Sequence, residues 1–239
     1  MYHLYMITES NMTVSSMTSS GVTFLDTLLQ GGYENDIITT FSGPSSSGKT
    51  NLCLLAAVHV ARSGKKVVII DTEGGIALER VKQIAPDYEQ LVQNFVFFSP
   101  TSFDEQCSIV DSLKETISDN TGIIIVDSIS MLYRLELGKG NGVFDTNSAL
   151  GRQFAILTEI TRKKNIPVLV VSQVYADFDN RDNVRIVGGD VLKYGSKCLI
   201  RLRKKENGVR EFIIQKHRFL PEGLSTEFSI VQDGITRTQ

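Results

Sequence analysis

Eight consecutive residues constrain this chain more than anything else in it. Gly43-Pro44-Ser45-Ser46-Ser47-Gly48-Lys49-Thr50 fits the pattern GxxxxGK[ST] and sits between a β-branched run, Ile37–Phe41, and a helix-period stretch, Thr50–Arg62, that stops before Gly64. A strand–loop–helix setting is the one this pattern needs. Glycines at 43 and 48 let the backbone curl so that successive N–H groups point inward at phosphate oxygens. The positive end of the following helix adds to that field. Lys49 then reaches the β- and γ-phosphates, and the Thr50 hydroxyl ligates a magnesium ion. Residues 43–50 are read as a cradle for ATP and Mg²⁺.

A magnesium–phosphate site needs an acid on a neighbouring strand. Ile123-Ile124-Ile125-Val126-Asp127 offers four apolar residues that end in Asp127, which takes the second metal-ligand role. Hydrolysis also needs a group that orients water. Glu73, just past the run Val67–Asp71, falls on the same carboxyl-end rim. Gln173 ends a third run, Val168–Gln173, where a neutral amide can bond both water and the terminal phosphate and so report whether that phosphate is present.

The rest of the chain supports one architecture. Apolar runs, with Phe95–Phe98 among them, alternate with helix-period stretches. Ser102–Ile117 opens on the capping box Ser102-x-x-Glu105, and Asn147–Lys164 ends in the basic cluster Arg162-Lys163-Lys164. Strands without a polar face indicate a mostly parallel, twisted sheet with helices on both faces, an α/β fold. After residue 190 the pattern shifts to Lys197–Arg203, Glu211–His217 and Glu227–Val231, read as antiparallel strands appended to that sheet. Residues 1–20 are polar, rich in Ser, Thr and Met, and read as a flexible tail that holds the true translation start within residues 1–17. Residues 21–239 read as one ATPase core domain.

Composition narrows the function classes. A net charge of −2 excludes a chain that is basic throughout, so nucleic-acid binding needs a local patch. Residues 185–218 hold ten Lys/Arg against three Asp/Glu. On charge alone this stretch is equally a solvated sheet edge. Three widely spaced cysteines exclude a disulfide framework and a zinc ribbon. With no membrane-length apolar run and no signal-peptide pattern, the expectation is a cytoplasmic protein.

Taken together, these residues resemble the RecA-type recombinase core, and within it the archaeal recombinase paralogues, over about residues 18–236. The markers are the phosphate loop, Asp71-Thr72-Glu73-Gly74 followed by Glu79-Arg80, and Ile125-Val126-Asp127-Ser128 followed by Leu132-Tyr133-Arg134. Val170-Val171-Ser172-Gln173-Val174 and Leu220-Pro221-Glu222-Gly223 complete the set. The resemblance implies that Glu73 is the catalytic base, that Arg80 stacks on adenine, and that Gln173 couples the γ-phosphate to a second DNA-binding loop. It also implies that the Gln173 strand lies between the phosphate-loop strand and the Asp127 strand. Pro221 would lie at a neighbouring subunit's nucleotide. Lys216 and Arg218 resemble a Lys-x-Arg pair inserted across a subunit interface, and equally they read as part of the basic face. Loop 1, about Glu136–Thr146, offers Lys139 and Phe144. Loop 2, about Val174–Asp190, offers Tyr175, Phe178, Arg181 and Arg185. Basic side chains interleaved with aromatics suit single-stranded DNA.

Departures from the family pattern are as informative. The twenty polar residues before the core cannot bury the core that a helix-hairpin-helix domain needs, so none is expected there. The Phe-x-x-Ala linker pattern is not matched either: Phe24 is followed by Leu25-Asp26-Thr27. The resulting expectation is an ATP- and DNA-binding protein of homologous recombination and repair, with weak ATPase activity and no strand exchange of its own. Its implied partners are single-stranded or branched DNA, the principal recombinase, a Holliday-junction resolvase and further copies of itself. Two other readings stay open: a filament-forming DNA-dependent ATPase, and a signalling or motor-accessory ATPase of the KaiC kind that does not bind DNA.

Overall fold

A run such as Val67-Val68-Ile69-Ile70 has no polar side, so both of its faces need cover. The computed structural model, which describes residues 16–140, 142–176 and 184–238, provides it. From the N-terminus, β1 (Met17–Thr18), α1 (Thr23–Leu28) and β2 (Tyr33–Glu34) lead into β3 (Ile38–Gly43), α2 (Lys49–Arg62), β4 (Lys66–Asp71), α3 (Leu78–Ile84) and α4 (Tyr88–Leu91). Then come β5 (Phe95–Phe98), α5 (Phe103–Thr116), β6 (Thr121–Asp127), α6 (Met131–Gly138), α7 (Val143–Lys164), β7 (Val168–Ala176), β8 (Val184–Ile186) and α8 (Gly189–Gly195). The chain closes with β9 (Cys198–Lys204), β10 (Val209–Lys216), β11 (Ser225–Val231) and β12 (Gly234–Arg237).

The main sheet has the order β12-β11-β10-β9-β3-β7-β6-β4-β5, with β8 paired to β7. Strands β9, β3, β7, β6, β4 and β5 are parallel, and β10 to β12 are antiparallel to their neighbours. The expected α/β architecture holds, including the Gln173 strand between the phosphate-loop and Asp127 strands. Pleating sends successive side chains to opposite faces. Val67 and Ile69 join Phe41, Leu52, Ile125 and Val171 in the core beneath α2. Val68 and Ile70 join Ile124, Val126, Leu113 and Phe154 in the core beneath α5 and α7. Among the described residues no helix is long and apolar enough to cross a membrane.

Two expected boundaries move. Loop 1 shrinks to the residues between α6 and α7, because α7 begins at Val143, after Gly142 takes φ 60° as its N-cap. The flexible tail expected over residues 1–20 differs at its end, where residues 16–20 are tied to the core. Met17 and Thr18 pair with Glu34 and Tyr33, and Asp26 accepts hydrogen bonds from Ser19 Oγ, Ser20 N and Ser20 Oγ at 2.5, 2.7 and 2.6 Å. A run of Ser and Thr reads as loop because its tie is a single acid in the next helix. Residues 1–15 lie outside the described residues.

Candidate functional site

Register places the site. Gly43 at the end of β3 pairs with Gln173 on β7, Asp127 at the end of β6 pairs with Val171, and Asp71 on β4 pairs with Asp127. Four strands therefore end on one rim. There a cavity of roughly 370 Å³ opens, lined by residues 45–51, Glu73, Asp127, Val171, Gln173, Arg210 and Ile230. The loop before α2 needs its two glycines for different reasons. Gly48 has φ 101°, a conformation that L side chains avoid. At Gly43 a Cβ would come within 2.6 Å of the Leu202 carbonyl oxygen on β9.

Lys49 is buried and donates from Nζ to the carbonyls of Gly43 and Pro44 at 2.9 and 2.8 Å. Burial lowers its pKa, opposed by Asp127 and Glu73. Thr50 Oγ1 donates to Asp127 Oδ2 at 2.5 Å. Burial pushes the Asp127 carboxyl up to about 6, against the Thr50 hydrogen bond, with Glu73 and Asp71 adding to the rise. Asp127 therefore sits where a cation would relieve it.

The loop that carries Glu73 is built by Asp71. Its Oδ1 accepts from the backbone N–H groups of Glu73 and Gly75 at 3.1 and 3.3 Å, and its Oδ2 from Ile76 N at 3.1 Å. Thr72 ties this loop to β6 by donating to the Ser128 carbonyl and accepting from Ser128 N. Glu73 Oε1 then receives two donors, Ser128 Oγ at 2.6 Å and Gln173 Nε2 at 2.9 Å. One carboxylate oxygen is held from two strands. The backbone of Gln173 continues the link, since its carbonyl accepts from Val187 N, just past β8.

The structure thus gathers Lys49, Thr50, Glu73, Asp127 and Gln173 around one cavity, and keeps other expected residues out of it. Arg80 does not line the cavity. Its guanidinium donates to Asn51 Oδ1, Gln83 Oε1 and the carbonyls of Gln232 and Gly234, which clamps α3 and α2 to the β11–β12 turn. Lys216 Nζ donates to the carbonyls of Lys193 and Ser196 in and beside α8, and Arg218 pairs with Glu34 and Asp36 at 3.1 and 2.6 Å. Both cations are held by their own chain, because buried Glu34 and the open carbonyls of α8 need partners. Pro221 is exposed on the turn between β10 and β11.

Of the DNA-contact candidates, Phe144 is 82% exposed on the first turn of α7, and Tyr175 is exposed near the end of β7. Lys139 bonds Glu136 at 2.7 Å. Phe178 and Arg181 lie outside the described residues, and Arg185 is placed only as a backbone position on β8. Sequence reasoning missed Asp71, Ser128 and Arg210. The first two stand inside motifs already singled out, whereas Arg210 was one of ten basic residues in a cluster with nothing to set it apart.

The Rad51 family model matches residues 11–238 of the chain. A protein of Methanobrevibacter smithii, named DNA repair and recombination protein RadB, is 41% identical over 225 residues, covering 91% of this chain and 94% of the relative. Proteins of the same name from Methanococcoides burtonii and Thermococcus kodakarensis are 38% and 39% identical, covering 93% and 92% of this chain and 99% and 98% of the relatives. The crystal structure of the RadB recombinase matches with a TM-score of 0.80 at 38% identity, over 93% of this chain and all of that one.

Proposed function

The chain belongs to the Rad51 family, and from that premise we propose a DNA repair and recombination protein that binds ATP and Mg²⁺ at the strand-end cavity and DNA on the face carrying the segment after Gln173. The observation that carries this reading is the two-donor clamp on Glu73 Oε1, set beside Lys49 and the Thr50–Asp127 pair. Members of this family bind nucleotide with Mg²⁺.

The residues present fit those groups. Ser47 Oγ is buried in the loop without a hydrogen-bond partner, and the Lys49 ammonium stands against backbone carbonyls. Among the described residues no cluster of three or more His, Cys, Asp or Glu could cage a metal. A hydroxyl with one carboxylate suits Mg²⁺, which takes its remaining oxygens from phosphate and water. Thr50 and Asp127 would hold the ion, and Lys49 with the N–H groups of residues 45–50 would hold the phosphates. Mg²⁺ supplies charge neutralisation at the terminal phosphate when bound.

Glu73 keeps its second oxygen, Oε2, to orient a water and take its proton, while Ser128 and Gln173 hold the first. Gln173 joins that base to Val187, so the occupant of the cavity bears on the segment between β7 and α8. Tyr175, Phe144 and the residues around β8 supply the DNA face, by stacking and charge.

A regulatory role with weak ATPase activity is favoured over filament-driven strand exchange. The phenylalanine nearest the core start, Phe24, packs against the core from α1 and does not stand free as a linker. The principal recombinase and a Holliday-junction resolvase complete the proposal as partners. Labelled single-stranded and branched DNA titrated with ATP, ADP or no nucleotide over several salt concentrations tests the whole. Wild type binds DNA with an affinity set by the nucleotide, and Lys49→Ala loses nucleotide binding and that dependence together. DNA affinity indifferent to nucleotide in the wild type would count against the switch, and no DNA binding at low salt against the recombination role.

A further inference from the structure

Arg210 is the second residue of β10, opposite Lys204 on β9 and Phe228 on β11. It lines the same cavity as Lys49 and the phosphate loop. One terminal nitrogen donates to the carbonyl of Gly208 in its own hairpin turn. Its Nε is buried with no hydrogen-bond partner, although Glu73 and Asp127 line the same cavity. Leaving a buried guanidinium donor unsatisfied is unfavourable. A cationic fork opening into a cavity already furnished with an ammonium and a helix N-terminus fits a polyanion better than any other occupant.

The sheet order gives the direction of approach. Gln173 reaches the loop from β7, on one side of β3, while β10 lies on the other side, beyond β9. Resting on the nucleotide reading of this site, we propose that Arg210 binds the phosphates of the nucleotide from within the same chain, as a second cation opposing Lys49 across the cavity. Lys216 and Arg218, the two cations that would otherwise be sought from a neighbouring subunit, are engaged inside their own chain.

A fluorescent ATP analogue with Mg²⁺ is titrated into the full chain as wild type and as Arg210→Ala, Arg210→Gln, Arg210→Lys and Lys49→Ala. Loss of a charge-assisted contact predicts that the Ala and Gln variants bind on the order of 10- to 100-fold more weakly. Their affinity also falls less steeply with salt, and Arg210→Lys recovers part of the loss. Melting temperatures in chelator stay at or above wild type, because the removed group had an unsatisfied donor. Mixing Arg210→Ala with Lys49→Ala protein, which carries an intact Arg210, restores nothing. Binding within about twofold of wild type for Ala and Gln, or restoration on mixing, overturns the proposal while leaving the nucleotide site intact. Unimpaired binding by Lys49→Ala overturns the site reading itself.

Discussion

The strands β3, β7, β6 and β4 and the strands β9 to β12 belong to one sheet, yet they serve the site in opposite ways. The first group delivers functional side chains at strand ends, each within a few residues of a recognisable pattern: Gly43, Gln173, Asp127 and Asp71 with Glu73. The second group shapes the same cavity by leaning on it. The Leu202 carbonyl stands over Gly43, Phe228 and Ile230 stand over Gly48, and the carbonyls of Gln232 and Gly234 receive Arg80. Parallel strands concentrate chemistry because their carboxyl ends share one rim. The hairpin strands give the cavity a wall, and among the described residues Arg210 on β10 is the one charged side chain that this wall turns into it. The chemistry of the rim is therefore local in sequence, and what the wall contributes is not.

The largest effect that tests this division is steric. Gly43→Ala sets a methyl group 2.6 Å from Leu202 O and 2.8 Å from Ser47 Oγ. Backbone must move at one of the two contacts, and overpacking of this kind costs about 3 kcal/mol. Thermal unfolding should register the loss, and weaker nucleotide binding should accompany it. A variant with wild-type stability would show that β9 does not press on the loop.

The next effect has the opposite sign. Burial lifts Asp127 from an ordinary 3.8 to about 6, so the folded state holds this proton more tightly than the unfolded chain does. Stability in chelator then falls as pH rises between about 4 and 6, and the penalty is in full force above that window. Asp127→Asn removes the charge and keeps an acceptor for Thr50. It should be more stable than wild type by up to about 3 kcal/mol at pH 7.5, with the gap closing below about pH 4. Melting curves of both proteins across that range check the sign. A gap that does not vary with pH would separate the rim's cost from the charge on Asp127.

How much could be read beforehand follows the same line. The phosphate loop, Asp127, Glu73 and Gln173 were visible because each is tied to a strand end by adjacent residues. The capping box at Ser102 was half visible: Ser102 Oγ accepts from Glu105 N at 3.2 Å, but Glu105 returns its bond to Thr101 N at 2.7 Å. β8 and β12 are too short to show a pattern of their own. The start of α7 was hidden because Gly138, Gly140 and Gly142 give a helix start the composition of a loop. Arg210 was hidden for a deeper reason, since its role depends on which strand lies two places from β3. Arg80 stood in a recognised motif, yet two of its four partners come from residues 232–234, some 150 positions away.

That last contact gives the smallest and most selective test. Arg80 joins α3, the first turn of α2 and the β11–β12 turn, through Asn51, Gln83, Gln232 and Gly234. Four of its five N–H donors are taken up by these partners. Arg80→Ala should cost about 1–2 kcal/mol, because the side chain is partly exposed and water can replace some of its bonds. Arg80→Lys should recover little, since an ammonium cannot span acceptors spread across a plane. Hydrogen exchange reads where the loss falls. Faster exchange confined to β11 and β12, with α2 and β3 unchanged, is the expected outcome. It would mean that the wall can loosen while the rim stays set. Exchange that quickens equally in β3 would mean that the two groups of strands unfold as one unit, and that the division drawn between them is one of chemistry and not of stability.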